Sequence, residues 1–496
     1  MSKHVSKYLH KQMDKEAGIF HSQKRTKIVA TVGPACESFE KLLELAKAGV
    51  NVFRLNFSHG GYENKKEIID HIREINKSQP FNIAILGDLQ GPKLRVGEIA
   101  NGQIELVEGE DMIFTTEKMV GTKEKVYVSY PNLSKDAKVD ERIFLDDGKL
   151  EVKVKSILNE KEILVNITVG GMLSPKKGVN LPDSELTMPS MTEKDYADLE
   201  FIIANNLDWV ALSFVRKTAD ILELKNKIAE KQSKIKVIAK IEMPEALKNI
   251  RDIIVVSDAI MIARGDLGVE LPVEQVPIIQ KELIRKCMHR AKPVIVATQM
   301  MESMMDRTKP NRSEVSDVAN AVLEGADAVM LSGETAMGEY PTQVVETMVK
   351  IIMEAEKTLY DYNRDDILSP QAHSPSFLSD AICYLACKLA NDTNAKALIG
   401  MTQSGYTAFM LSSYRPKAPL YIFSKEKTLL AQLSLSWGVR AFYYAEEESL
   451  DDIIFDQINI LRERGFLNAG DVVINTGSTP VELHLPTNIV KVTTVE

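Results

Sequence analysis

At 496 residues the chain is longer than a single domain usually runs, and two or three domains are expected. Its 44% hydrophobic and 26% charged residues are ordinary for a globular protein and leave ample material for large cores. The formal net charge of −9 argues against a general nucleic-acid binder or an anionic-membrane binder, though not against a local basic pocket.

Residues 1–24 are polar and lysine-rich and lack the apolar core of a secretory signal. No apolar run approaches the length of a membrane span, so a soluble cytoplasmic protein is expected. Four cysteines, at 36, 287, 383 and 387, are a poor disulfide framework at this length. Cys383 and Cys387 lie one helical turn apart and read as small buried apolar groups.

From Lys27 onward short apolar runs recur. They are KIVATVG (27–33), NVFRLNFSH (51–59), NIAILGDLQG (82–91), WVALSFV (209–215), KVIAKIE (236–242), AIMIARGD (259–266), PVIVATQM (293–300) and AVMLSGET (328–335). Stretches with apolar residues at helical spacing, such as SFEKLLELAKAG and RSEVSDVANAVLEGA, separate them. Eight alternating units predict a closed (β/α)8 TIM barrel over 25–91 and 188–358. An open doubly wound sheet is the runner-up, but no early GxGxxG follows a strand.

The third interval is too long for one helix. Residues 92–187 hold β-branched runs broken by Asn-Gly, Asp-Gly and Gly-Gly, which predicts an inserted small β-barrel lid over the barrel mouth. After PTQVVETMVKIIMEAEK, the polar YDYNRDDILSPQAHSPS reads as a linker. The rest of 359–496, with runs KALIGM, LYIFS, VRAFYY, DVVINTG and IVKVTTV, predicts a separate α/β domain.

Polar groups gather where the barrel runs end. Arg54, Asn56, Ser58 and His59 follow the second run, and Asp88 and Gln90 the third. Lys240 and Glu242 end the fifth, Arg264 and Asp266 the sixth, Thr298 the seventh, and Ser332 and Glu334 the eighth. Strand amino ends are read as lacking such a pattern, which favours an active site at the carboxyl face. Either acidic run alone would pass for an ion-paired strand end; together Glu242 and Asp266 suit a divalent metal with oxygen ligands. With Arg54 and Lys240 beside them, phosphoryl transfer is the chemistry that fits.

The motifs TKIVATVGPA, FRLNFSHG, GDLQGPKLR, KKGVNLP, KIE, ARGDLGVE, ATQMMESM and DAVMLSGETA resemble pyruvate kinase, over essentially the whole chain after the first two dozen residues. The resemblance implies a glycolytic phosphotransferase that moves phosphate from phosphoenolpyruvate to ADP, giving pyruvate and ATP. By the same resemblance Lys240 stabilises the phosphoryl group in flight, Arg54 binds phosphate, and Glu242 and Asp266 hold Mg2+ or Mn2+. The backbone N–H groups of Gly265 and Asp266 would receive the substrate carboxylate. Thr298, Ser332 and water are the proton-donor candidates. His59, Arg95 and Lys177 match nucleotide-contacting positions, and a second Mg2+ would arrive with ADP or ATP. A homotetramer is implied as well.

The family's monovalent-ion pocket maps onto Asn56, Ser58, Asp88 and the carbonyl of Leu89. Potassium-dependent members carry glutamate where this chain has Lys93, and Thr-Lys after the aspartate; here the sequence is DLQGPKLR, so activity without K+ is expected. In the last domain, Thr402, Gln403, Ser404, Gly405, Tyr406 and Thr407 match an effector loop. Gln403 in place of lysine, and TGSTPVEL without Trp-Arg-Pro, depart from the fructose bisphosphate pattern. A monophosphorylated sugar or nucleotide, or no effector at all, remains open. Met337 replaces a lysine seen in relatives.

A metal-dependent lyase or mutase acting on pyruvate enolate is a second reading, but it would need neither Lys240 nor a lid carrying nucleotide lysines. A catalytically silent paralogue is a third, and it would be expected to have eroded Arg54, Lys240, Glu242, Asp266 or Thr298.

Overall fold

The computed structural model describes residues 24–362, 370, 376–445, 449–483 and 485–496. The polar amino-terminal segment, apart from Lys24, and most of the linker lie outside the described residues.

Eight strands close into a parallel barrel: β1 (Lys27–Thr31), β2 (Val52–Asn56), β3 (Ala84–Asp88), β4 (Trp209–Leu212), β5 (Lys236–Ile241), β6 (Ala259–Ala263), β7 (Val294–Ala297) and β8 (Ala328–Leu331). They run round the ring in chain order, and β8 closes on β1 with Ala328 opposite Lys27. The barrel expectation holds and the open sheet is ruled out. Three of the connecting helices start on side chains that satisfy their first N–H groups. Ser38 caps Phe39–Ala48, and capping boxes of Thr192 with Asp195 and Asn311 with Glu314 open Glu193–Ala204 and Arg312–Leu323.

The third interval folds as a β domain of its own. A six-stranded sheet runs in the order Val179–Asn180, Arg142–Leu145, Leu150–Asn159, Glu162–Val169, Asp111–Thr115 and Lys125–Tyr127, beside a two-stranded pair, Gly171–Leu173 with Ile104–Leu106. Phe114, Val126, Val152, Ile163 and Val165 form its buried centre. The carboxyl-terminal domain has a five-stranded sheet, ordered Val439–Tyr443, Leu420–Ser424, Ala397–Met401, Val472–Gly477 and Ile489–Thr494; only the last pairing is antiparallel.

That last domain stoppers the barrel at its amino end. Its Ala431 and Leu435 join the cluster of residues that fills the barrel interior. Gln432 Nε2 donates to the carbonyls of Asp208 and Lys234, just ahead of β4 and β5. The opposite, carboxyl end is left as the mouth.

The amino ends are not free of polar groups, and that expectation is corrected. Asp208, Asp258 and Asp327 stand immediately before β4, β6 and β8. Each accepts a neighbouring strand's N–H, from Ile85 (2.7 Å), Val237 (2.8 Å) and Val294 (3.1 Å). Their cations are Arg73, Lys225 and Arg415. These carboxylates are spent on closing strand ends, which is the physical difference from the mouth.

All four cysteines are buried and unbridged. Among the described residues no helix is long and apolar enough to cross a membrane.

Candidate active site

Side chains alternate along a strand, so the residue two beyond an inward apolar one also points inward. The barrel interior holds Val29, Val52, Leu86, Ala211, Ile238 and Met330. Two positions on lie Thr31, Arg54, Asp88, Ser213, Lys240 and Ser332, and a further two bring Asn56 and Glu242. The apolar filling thus gives way to polar side chains at the carboxyl ends of six different strands.

Asp88 is the hub of these groups and is 1% exposed. Arg54 Nε meets its Oδ2 at 2.7 Å, and Lys240 Nζ lies 3.4 Å from its Oδ1. Burial alone would raise the Asp88 carboxyl, but Lys240 and Arg54 more than offset it and hold it below the usual carboxylate range. Lys240 also pairs with Glu242 Oε1 at 2.9 Å and donates to Ser213 Oγ at 2.7 Å. Burial would lower its ammonium pKa; the charges of Asp88 and then Glu242 reverse the shift, so Lys240 is firmly cationic. Arg54 Nη1 donates to Thr31 Oγ1 at 2.9 Å, and that hydroxyl donates to the carbonyl of Leu331.

Glu242 follows β5 directly, and Asp266 lies in the first turn of Arg264–Glu270 after β6, the strand paired with β5. Glu242 is 1% exposed and takes the N–H of Phe214 on Oε2 at 2.7 Å. Burial pushes its carboxyl up, Lys240 opposes, and the negative Asp266 adds to the rise. Two hard oxygen donors whose charges repel in a buried site fit a divalent cation. Among the described residues no group of three or more His, Cys, Asp or Glu could hold a metal.

Thr298 follows β7 at φ +69°, and Gln299 after it sits at φ +55°. A β-branched residue such as Thr298 is strained in that region, and two consecutive non-glycine residues there need outside support. Arg264 supplies it. Its Nη2 donates to the carbonyl of Thr298 at 2.8 Å while Nη1 pairs with Asp317 at 2.7 Å. Arg264 therefore braces the turn and does not join the cations of the mouth. Gly265 N donates to Thr298 Oγ1 at 2.8 Å. Ser332 N donates to Glu334 Oε2 at 2.7 Å, and Glu334 Oε1 takes the N–H of Met301.

The other predicted positions are distributed as follows. Asn56 Oδ1 accepts the N–H of Ser58, and the carbonyl of Leu89 accepts from Ser213 Oγ at 2.8 Å. Lys93 Nζ is 3.9 Å from Asp266 Oδ1, beside the carboxylate pair. His59 is exposed, and its carbonyl is pinned by Lys65 Nζ. Arg95 and Lys177 stand on the lid; Arg95 Nη1 donates to the carbonyl of Lys176, and Lys177 Nζ pairs with Asp146 at 2.8 Å. The Thr402–Thr407 loop lies far along the chain, in the carboxyl-terminal domain, where Gly405 at φ +88° opens the helix Tyr406–Ser413.

Three residues were passed over in the sequence. Thr31 and Ser213 are inward hydroxyls just beyond their strands' apolar layers, and counting by twos finds both. Asp146 is part of a turn, Asp146-Asp147-Gly148, all at positive φ, and its Asp-Asp-Gly was read only as a turn.

Residues 23–345 match the family model described as "Pyruvate kinase, barrel domain", and residues 380–493 match "Pyruvate kinase, alpha/beta domain". The chain belongs to the pyruvate kinase family. A pyruvate kinase of Geobacillus stearothermophilus is 42% identical over 473 residues, which cover 95% of this chain and 80% of that protein. One of Staphylococcus aureus (strain USA300) is 42% identical over 471 residues, with the same coverage. The crystal structure of a pyruvate kinase from Cryptosporidium parvum superposes with a TM-score of 0.90 at 34% identity, covering 96% of this chain and 97% of that one. Family members are phosphotransferases of phosphoenolpyruvate and ADP and generally use Mg2+ and usually K+.

Proposed function

We propose that the mouth of the barrel carries out pyruvate kinase chemistry without a K+ requirement, with Lys240 and Arg54 holding the phosphoryl group as it moves to ADP. The observation that carries this is the pair of cations on one buried carboxylate, Asp88. Desolvated and fixed in place, they meet the charge spread over the equatorial oxygens without reorganising at the moment of transfer. Glu242 and Asp266 would hold Mg2+ or Mn2+, which when bound offsets the charge of the substrate's carboxylate and phosphate. The substrate carboxylate takes the N–H of Gly265, the donor that Thr298 Oγ1 otherwise occupies. Thr298 Oγ1 then loses that donor while its own hydroxyl still donates to the carbonyl of Ala297 at 2.6 Å, and Thr298, Ser332 and solvent are the groups that compete to protonate the enolate. His59, Arg95 and Lys177 receive the nucleotide beneath the lid.

Independence from K+ is supported by the partners of the monovalent-ion pocket. Asn56 Oδ1 and the carbonyl of Leu89 each accept an internal hydrogen bond, and Asp88 faces two fixed cations. Lys93 brings a further positive charge to Asp266. Within the pocket, Asp88 thus has cationic partners without an added ion.

The carboxyl-terminal domain would take a phosphorylated effector. A cavity of about 860 Å3 runs from the Thr402–Thr407 loop to a wall of Leu450, Ile453 and Ile454. Thr402 Oγ1 already accepts the N–H of Gly405, and Thr407 bonds Thr487 across the loop, so the phosphate end is preformed. One anion nest facing an apolar wall suits a single phosphate on a body with an apolar face, a nucleoside monophosphate ahead of a sugar. The assembly is proposed to be a homotetramer.

The test is turnover of phosphoenolpyruvate and ADP with Mg2+, in Na+ and in K+, with a panel of sugar and nucleoside monophosphates. Equal rates in the two salts support the reading; a rate that needs K+ overturns its monovalent-ion part.

A further inference from the structure

Glu270 ends the helix that begins at Arg264, one turn beyond Asp266 and on the same side of it. It is 5% exposed, although nothing in the proposed chemistry uses it. Its Oε1 accepts from Asn180 Nδ2 at 2.6 Å, while its buried Oε2 has no hydrogen-bond partner. A buried carboxylate with one oxygen unsatisfied is costly to keep, so its single bond must do something for the fold or for the site.

Asn180 belongs to the lid. It lies in the edge strand Val179–Asn180, in register with Phe144 of Arg142–Leu145, and three residues after Lys177. Two more contacts fix the same corner. Asp146 N donates to the carbonyl of Gly178, and Lys177 Nζ reaches Asp146 Oδ1. Gly148, at φ +83°, brings the lid turn so close to the barrel that an added Cβ would lie 3.6 Å from Val269 Cγ1, beside Glu270.

We infer that the Glu270–Asn180 hydrogen bond is the tie by which the barrel sets the height of Lys177 over the mouth. Glu270 and Asn180 are positioning residues; neither touches the reacting atoms. One end of the tie stands a helical turn from a proposed metal carboxylate, and the other stands three residues from a proposed nucleotide lysine. The inference rests on the nucleotide role proposed for Lys177.

The full-length enzyme tests it through Asn180→Ala, Glu270→Ala, Glu270→Gln and Lys177→Ala, read by hydrogen exchange of the 176–182 peptide and by KM for ADP and for phosphoenolpyruvate. In N180A, exchange in that peptide and KM for ADP should each rise about tenfold, the size expected for one lost buried hydrogen bond. KM for phosphoenolpyruvate should stay within about twofold. E270A should match N180A, the double variant should lose nothing further, and E270Q, which keeps an acceptor oxygen, should restore the lid. Unchanged exchange in N180A, or E270Q as damaging as E270A, overturns the tie. N180A decides alone should E270A fail to fold, because it removes only the lid's donor. Faster exchange in N180A with an unmoved ADP KM in K177A would support the tie and overturn the role of Lys177.

Discussion

Arg54 and Lys240 bind opposite oxygens of the same buried carboxylate, at 2.7 and 3.4 Å from Asp88. Asp88 therefore does two jobs: it keeps Lys240 charged, and it offsets the repulsion between the two cations in a site with little solvent. Asp88→Asn keeps the shape and removes the charge. Breaking a buried ion cluster by deleting one partner costs about 3–5 kcal/mol, so D88N should unfold at clearly lower urea and lose most of its turnover. A variant within about 1 kcal/mol of wild type would show that the cluster is solvated.

Lys240→Met separates the two halves of the reaction. Removing a donor fixed on the transferring group costs about 3–4 kcal/mol of barrier, a loss of roughly a hundredfold or more in kcat. In the proposed mechanism enolisation of pyruvate uses the carboxylate pair and the proton donors, so it should largely persist. Proton exchange into pyruvate, followed by NMR, reads that half separately. Equal loss of both would remove Lys240 from its assigned place.

The eight strands were legible because buried parallel strands are continuous apolar runs, and those runs met no competing signal. The mouth was legible for the same reason, since charge such as Lys240 and Glu242 interrupts a run only where the strand leaves the core. What escaped was anything set by tertiary direction. Arg264 sits at a strand end beside Asp266, yet it turns away to Thr298 and Asp317, because the strained backbone at Thr298 needs a donor. Asp208, Asp258 and Asp327 each precede an apolar run in plain view, but nothing local says that a neighbouring strand's N–H will claim them. Glu270 carries no local signal of its role, because the residue that meets it, the lid's Asn180, lies 90 positions away in the chain.

Lys93 offers a reversal of the monovalent-ion requirement. Its ammonium is 3.9 Å from Asp266, and Lys93→Glu would put a third negative charge beside Glu242 and Asp266. Turnover of K93E in Na+ should fall at least about tenfold, a change of ~1.4 kcal/mol, and K+ should restore much of it. The wild-type enzyme should be indifferent to the same exchange of salts. K93E that is equally active in both would show that Lys93 is a bystander.

Glu270 also makes a prediction about pH in the metal-free enzyme. Burial, together with the negative Asp266, Asp183 and Glu242 and against the hydrogen bond from Asn180, pushes its carboxyl from 4.5 up to about 7. In the unfolded chain the proton leaves at the ordinary value; in the folded chain it stays until near neutrality. Between those limits the folded state binds more protons, so the stability this group allows is lost as pH rises through the window. Glutamine cannot ionise, so Glu270→Gln should escape that loss. Its stability relative to wild type should grow by up to about 3 kcal/mol between about pH 4 and pH 8, measured by urea unfolding with a chelator present. Comparing the two pH values cancels whatever the amide does to packing. Mn2+ bound at the carboxylate pair should shrink the difference, since its charge offsets the repulsion that raised the group. A difference independent of pH would mean that Glu270 is ionised at both values and that its second oxygen is reached by water.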